Sequence, residues 1–515
     1  MLRRMNREFF ASRLRPLWAD WRRGATVAAG LGILSGVAVG IGMPRGPITS
    51  GEAIGVMITG ALVGAAAGLA MGSRWAMLLT PVVHAAAFEV ARIGTSGPSV
   101  DGIRLDNGLG AALFVAGRVF HGIVGLAPMV LGAAIGAGIA RQLTPELFPD
   151  RPILSRVATF VRRAAAVISG AILVSLALAI VQPATTAPIV DDDGNPVAGS
   201  VAALEAVRLG GHDQWIMMRG RSIDAPVLLY LTGGPGNSDL GYTRAFLEDL
   251  EEDFVFVAWD QRGAGKSYPA LDPTSTLTLD QAVADTIELT NYLRDRFDEE
   301  KIYLLGNSWG SVLGVLAVQQ HPELYHAYIG AGQMVNPLET DRRLYRQMID
   351  YATRTGDETL AETTRGYGEP PYGDVFAYAV VIEHYDDLEP YTQTETFRKG
   401  TSGIAGTGVS EYSFVEKANV LRGLADMGSV LYPQAQDIDF RRDAPRLEVP
   451  VYLVQGAHEL TARADLAQEY FAQLEAPSKE LIVFEHSGHV PHFEEPARFH
   501  EVMVNTVLAE TYPAG

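Results

Sequence analysis

Four stretches of nineteen residues carry no charged side chain: Gly24–Gly42, Ala53–Met71, Gly122–Ala140 and Ala164–Gln182. At about 1.5 Å per residue, a helix of that length reaches roughly 28 Å, close to the thickness of a bilayer's hydrocarbon layer. A helix at the surface of a water-soluble core is apolar along one stripe only. These runs are apolar all round, so their natural solvent is lipid. A weaker run, Trp75–Ala91, carries Pro81, His84 and Glu89. An ionisable group in lipid costs a few kcal/mol unless it faces a neighbouring helix or water. This run therefore reads either as a fifth span or as a re-entrant or interfacial helix.

The arginines decide between those alternatives. Arg3, Arg4, Arg7, Arg13, Arg15, Arg22 and Arg23 precede the first run, and Arg141, Arg151, Arg156, Arg162 and Arg163 lie between the last two. Positive charge is retained on the cytoplasmic side. Five spans put both clusters on one side, whereas four put them on opposite sides. The expectation is thus a multipass cell-membrane protein with a cytoplasmic N terminus and everything after Gln182 outside. The first run starts too late, and lacks a cleavage site, for a removable signal peptide. His84 and Glu89 read as polar groups at helix interfaces rather than as a transport pathway. Glycines at every fourth position (Gly32, Gly36, Gly40, and Gly60, Gly64, Gly68, Gly72) let helix backbones approach closely. Packing within the bundle is the first explanation, with a homo-oligomer contact as the alternative.

The chain changes character near residue 183. Residues 1–183 hold 17 Arg, no Lys and 8 acidic residues, a net of +9, whereas the remainder holds 24 basic and 52 acidic residues. The overall charge of −19 excludes nucleic acid as a partner of the whole chain. The absence of cysteine excludes disulfides and cysteine nucleophiles. At 515 residues, more than one structural unit is expected. Residues 184–200, rich in Pro, Gly and Asp, read as a linker. From residue 201 to 515, a hairpin around Gly210-Gly211 precedes the short apolar runs Val227–Leu231, Val255–Trp259, Ile302–Leu305, Tyr328–Gly330, Val451–Val454 and Leu481–Phe484. Helical patterns at Leu279–Phe297, Val312–Gln320 and Ala464–Leu474 separate them, which implies an α/β sheet covered on both faces. Residues 334–440 break the alternation with mainly helical, Tyr- and acid-rich sequence, and read as a cap over the strand ends.

Chemistry concentrates at those ends. Gly306-Asn307-Ser308-Trp309-Gly310 is a G-x-S-x-G segment between a strand and a helix, the context in which a serine is held on a sharp turn. A serine hydroxyl needs a base, and the base needs an orienting acid. After the strand at Val451 comes Glu459, preferred over Asp465 because the latter falls inside the following helix pattern. After the last strand come His486, His489 and His492. His489 follows a glycine in a short loop and takes the place of the base; the other two read as loop residues. The remaining eight histidines read as ordinary surface or helix residues. The loop Thr232-Gly233-Gly234-Pro235-Gly236 places Gly234 N–H to act with Trp309 N–H around a developing oxyanion. No metal-binding spacing occurs, so neither metal nor other cofactor is expected. Asp260 and Arg262 read as a loop-fixing ion pair.

Together QWIMMRG, LTGGPG, WDQRGAGKS, GNSWGS and FEHSGHVPHFEEP resemble the proline iminopeptidase branch of the α/β-hydrolase superfamily, over roughly residues 201–510. The resemblance implies an α/β-hydrolase fold with a helical cap, here preceded by an all-α transmembrane bundle. It implies Ser308, Glu459 and His489 as triad, Gly234 and Trp309 as oxyanion donors, and release of N-terminal residues from short peptides through an acyl-enzyme. Three departures stand out: Thr232 replaces the usual histidine, Glu459 the usual Asp, and the cap lacks the W-x-x-W-E pattern that supplies an amine-binding carboxylate. Glu383 is the cap acid offered for that role. The alternative to an aminopeptidase is a membrane-anchored esterase or lipase acting on carboxylic esters. A third reading makes the helices the functional module and the second half a scaffold.

Overall fold

The computed structural model describes residues 14–144, 155–401 and 409–513. The chain divides into two compact units, Met1–Ile103 with Ala112–Pro183 and Ser413–Val415, and Arg104–Ala111 with Ala184–Tyr412 and Glu416–Gly515.

The apolar runs are helices: α1 Trp21–Gly42, α2 Ser50–Met71, α3 Ala76–Ala91, α4 Gly108–Leu143 and α5 Ser155–Val181. Local chemistry sets their ends. Asp20 accepts the Arg22 N–H ahead of α1, Thr49 and Glu52 form a capping box on α2, and Gly72 closes α2 in the left-handed region at φ 60°. By length and composition, α1, α2, α4 and the Arg163–Val181 stretch of α5 are apolar enough to cross a membrane, while α3 is a shorter apolar helix. Their outer faces expose Leu34, Ile41, Ile58, Leu62, Ile172 and Leu178, a surface suited to lipid. The expected run Gly122–Ala140 is the second half of a 36-residue helix. Residues 108–121 carry a single charge, Arg118, and its guanidinium donates to the carbonyls of Val100 (2.9 Å) and Asp101 (2.5 Å), so the helix continues unbroken.

The glycine rows are used inside the chain. A Cβ on Gly60 would lie 2.5 Å from the Gly125 carbonyl, and one on Gly64 or Gly68 would overlap the carbonyl of Met129 or Ala133, so α2 lies directly on α4. Gly32, Gly36 and Gly40 meet Thr80, His84 and Phe88 of α3 in the same way. The contact between copies entertained for these faces therefore has no surface left on these positions. His84 is buried with Nδ1 2.8 Å from Ser35 Oγ on α1, the helix-interface position read for it from the sequence. Glu89 pairs with Arg92, the residue that caps the C-terminal end of its helix.

The second unit is built on one eight-stranded sheet: β1 Val201–Leu209, β2 His212–Gly220, β3 Val227–Leu231, β4 Val255–Asp260, β5 Ile302–Asn307, β6 Tyr325–Ala331, β7 Val451–Gly456 and β8 Lys479–Phe484. The order is β1-β2-β4-β3-β5-β6-β7-β8. The β1–β2 and β2–β4 pairs are antiparallel and the others parallel. Strands β3, β4, β5 and β7 are buried throughout, as continuous Val/Leu/Ile runs covered by helices on both faces must be. Helices α6 Leu279–Phe297, α7 Trp309–Gln320 and α12 Thr461–Gln473 flank the sheet. Between β6 and β7 lies the helical cap, which includes α8 Pro337–Thr355, α9 Glu358–Tyr367, α10 Phe376–Glu383 and α11 Phe414–Leu431.

Candidate active site

Ser308 occupies the turn between β5 and α7 with φ 50° and ψ −116°, one of two non-glycine residues at positive φ among the described residues. Such backbone strain persists only where its surroundings hold it. The flanking glycines make it feasible. A Cβ on Gly306 would come within 2.6 Å of the Gly310 carbonyl, and one on Gly310 would overlap the Leu231 carbonyl. The serine N–H is anchored by the Ala331 carbonyl at 3.1 Å.

Behind the serine stands the late loop. His489 Nδ1 and Glu459 Oε2 are 2.5 Å apart. The other carboxylate oxygen accepts the Tyr385 hydroxyl at 2.7 Å and the Leu460 N–H at 2.9 Å. Burial pushes the Glu459 carboxyl up, but the His489 ring, Arg463 and the Tyr385 hydroxyl outweigh it and bring the pKa down to about 2. It is thus a carboxylate at any physiological pH, able to hold the imidazole in one tautomer. Gly332, next to the Ala331 carbonyl that anchors Ser308, links the two halves: a Cβ there would lie 3.1 Å from His489 Nδ1. Among the described residues no hydrogen bond links Ser308 Oγ to His489 Nε2. Such bonds often tighten only once substrate is bound.

The glycine loop after β3 touches the same serine. A Cβ on Gly233 would meet Ser308 Cβ at 3.3 Å, and Gly234 sits at φ 114°, which a side chain would resist. Gln261 ties this loop to the Ser308 turn. Its Nε2 donates to the Thr232 carbonyl (3.2 Å) and its Oε1 accepts from Trp309 Nε1 (3.2 Å). Sequence reasoning passed over Gln261 in favour of its neighbours, and the ion pair expected between Asp260 and Arg262 does not form. Arg262 is chelated instead by the buried Asp285 of α6 at 2.8 and 2.9 Å. Asp260 accepts the Lys266 N–H (2.8 Å) and the Tyr412 hydroxyl (3.0 Å), and burial pushes its pKa up to about 7. Close in sequence, the two side chains diverge where the strand ends.

The competing candidates lie elsewhere. Asp465 pairs at 3.7 Å with Arg343 on the cap side of α12. His486 is exposed, its backbone N–H bonded to Glu495. His492 is fully buried against the Tyr230 hydroxyl at 3.3 Å rather than against backbone, and burial, then the nearby His489, bring its pKa down to about 3.

Ser308 opens into a cavity of about 440 Å³ between sheet and cap, lined mostly by apolar side chains such as Met334, Leu344, Val375 and Leu424. Two carboxylates face it. Glu383, the acid singled out from the sequence, is exposed at the rim, where Oε1 accepts the Gly108 N–H at 3.0 Å. Asp341 lies buried, accepting the hydroxyls of Tyr432 (2.9 Å) and Tyr378 (3.0 Å) and the Gln436 amide (3.3 Å). Burial pushes its pKa up to about 6 despite those bonds. Sequence reasoning missed Asp341, yet a signal existed: it shares the apolar face of α8 with Leu344, Met348 and Ala352, and an acid in such a stripe has a task.

The family model described as the α/β hydrolase fold matches residues 226–496, and the chain belongs to that family. A probable aminopeptidase from Bacillus subtilis (strain 168) is 32% identical over 306 residues, covering 59% of this chain and 96% of the relative. A proline iminopeptidase from Lactobacillus delbrueckii subsp. lactis is 23% identical over 309 residues, covering 58% and 96%. Among solved structures, a proline iminopeptidase-related protein from Thermus thermophilus covers 61% of this chain and 99% of its own, with 21% identity and a TM-score of 0.43.

Proposed function

We propose that this chain is a membrane-anchored serine hydrolase, an aminopeptidase that removes N-terminal residues from short peptides. The observation that carries the reading is the Glu459–His489 pair at 2.5 Å behind a serine held at positive φ. His489 takes the Ser308 proton as Oγ attacks the carbonyl, and the Gly234 and Trp309 N–H groups receive the oxyanion. The imidazolium then protonates the leaving amine, and water releases the acyl group by the same route. Ser308 attacks from the N-terminal end of α7, where the helix dipole favours the developing charge.

Asp341 supports the choice of a free amine. A carboxylate offers about four lone-pair sites, and three are used, leaving one for a substrate ammonium in a pocket of low dielectric. Asp341 therefore takes the role first offered to Glu383, whose exposed position weakens any charge it holds. The names of the relatives agree with this reading. The apolar lining of the remaining cavity favours the second reading, an esterase or lipase. An assay of full-length protein on aminoacyl-arylamides, their N-blocked forms and short p-nitrophenyl esters separates them. Hydrolysis of free-amine arylamides alone, abolished in Ser308→Ala, is expected. Equal cleavage of blocked substrates, or of esters alone, overturns the aminopeptidase, and activity surviving Ser308→Ala overturns the serine mechanism.

A further inference from the structure

The first unit contains a cavity of its own, of about 180 Å³, that the hydrolase chemistry does not use. Its lining brings three guanidinium groups, Arg45, Arg92 and Arg118, against one carboxylate, Glu89, together with His84 and His121. Charges inside an apolar helix bundle are costly, and they persist where they serve a site. Arg92 is held by Glu89 at 2.5 Å, whereas Arg118 donates to uncharged carbonyls of the loop after α3. His84 is 4% exposed, and its Nε2 has no hydrogen-bond partner among the described residues, a costly state for a buried polar atom. Ser35 Oγ donates to the Gly32 carbonyl (3.1 Å), so in the 2.8 Å contact the imidazole Nδ1–H donates to Oγ, and Nε2 becomes a donor when the ring takes a second proton, as an adjacent anion favours. The backbone is also irregular here. Val115–Val119 and Gly122–Leu126 of α4 are π-helical and flank His121, a departure from α geometry frequent at functional sites.

We infer that this cavity binds an oxyanion, a phosphate or carboxylate group, held by Arg118 and Arg92 with His84 Nε2–H completing its shell. At roughly 30 Å³ per water, the volume admits such a group with a few waters. The loops carrying Arg45 and Ser99 follow α1 and α3, so in the five-span orientation both emerge on the outer face. The oxyanion therefore comes either from a lipid headgroup or from a free anion in the external medium.

The test uses the full-length protein. Titration with inorganic phosphate in detergent probes the free anion. Native mass spectrometry from nanodiscs of phosphatidylglycerol in phosphatidylcholine, against phosphatidylcholine alone, probes the headgroup. Saturable phosphate binding, or selective retention of phosphatidylglycerol, is expected, and which of the two occurs identifies the source. Arg118→Gln and His84→Ala should each weaken binding at least about tenfold, as loss of a charge-assisted hydrogen bond does, and Arg118→Lys should retain most of it. Gly122→Leu guards against misfolding of those variants. Gly122 lines the cavity, and a Cβ there meets nothing within 4 Å, so it should fold normally and exclude the ligand. Absence of binding to both probes, or binding that Gly122→Leu and Arg118→Gln leave unchanged, overturns the site.

Discussion

Tyr385 reaches from the cap to the carboxylate behind His489, and its hydroxyl holds one oxygen of Glu459 while the ring nitrogen takes the other. Glu459→Gln leaves the shape but presents an amide that does not select the imidazole tautomer. We expect kcat to fall roughly 10³- to 10⁴-fold. Tyr385→Phe removes only a supporting bond, with Leu460 N–H still in place, and should lower kcat several-fold with KM unchanged. Steady-state kinetics on one arylamide substrate checks both. Asp341 gives a different signature. Its folded pKa of about 6 lies above the ordinary 3.8, so the folded state holds its proton longer than the unfolded chain. The proton's contribution to stability is complete below about pH 4 and is lost as pH rises through about 6. Ionised at pH 8, the side chain costs the empty fold roughly 3 kcal/mol, and in the role proposed for it that charge receives the substrate amine. Asp341→Asn should therefore raise the melting temperature at pH 8 yet raise KM for free-amine substrates. In the parent protein, KM for those substrates should climb as pH falls below about 6. Thermal unfolding and a pH series of KM test this pairing. The sequence showed Ser308, Glu459 and His489 because each sits beside the end of a strand, where local pattern suffices. It concealed Asp341, Tyr385 and Gln261 because their meaning lies in partners brought from distant segments by tertiary packing.

At the scale of elements, glycine spacing reports close approach but not which glycines make it. Gly30 and Gly64 stand in similar apolar, glycine-rich helices, yet a Cβ on Gly30 meets nothing within 4 Å, while one on Gly64 overlaps the Met129 carbonyl. Gly64→Leu should part α2 from α4 and cost a few kcal/mol, as overpacking does, whereas Gly30→Leu should be tolerated. Thermal unfolding of both variants in the same detergent provides the comparison. The Ser308 turn obeys the same physics in the second unit, since Gly310 packs against the Leu231 carbonyl. The strands were legible as apolar runs, though β6 begins at Tyr325, earlier than the run at Tyr328 suggests. His326 is only half-buried there and breaks the apolar pattern. The length of α4 was hidden for a related reason: hydropathy registers the charge of Arg118 but not the carbonyls that satisfy it.

For the molecule as a whole, four helices among the described residues that are long and apolar enough to cross a membrane raise the matter of sidedness, and the composition offers a direct experiment. The arginine clusters at the start of the chain and before α5, with the acidic excess beyond residue 183, favour a cytoplasmic N terminus and an external hydrolase. Because the chain has no cysteine, a single introduced thiol reports its own compartment without background. Asp192 is exposed in the segment before β1, and Arg15 is exposed ahead of α1. Asp192→Cys should react with a membrane-impermeant maleimide in intact cells, whereas Arg15→Cys should react only after permeabilisation. Were α3 to enter and leave on one face instead of crossing, four spans would remain and the two thiols would label together from the same side. On the proposed topology, whether the short helix carrying Pro81 and His84 crosses sets which compartment the second unit faces, and labelling both sites in parallel measures that choice.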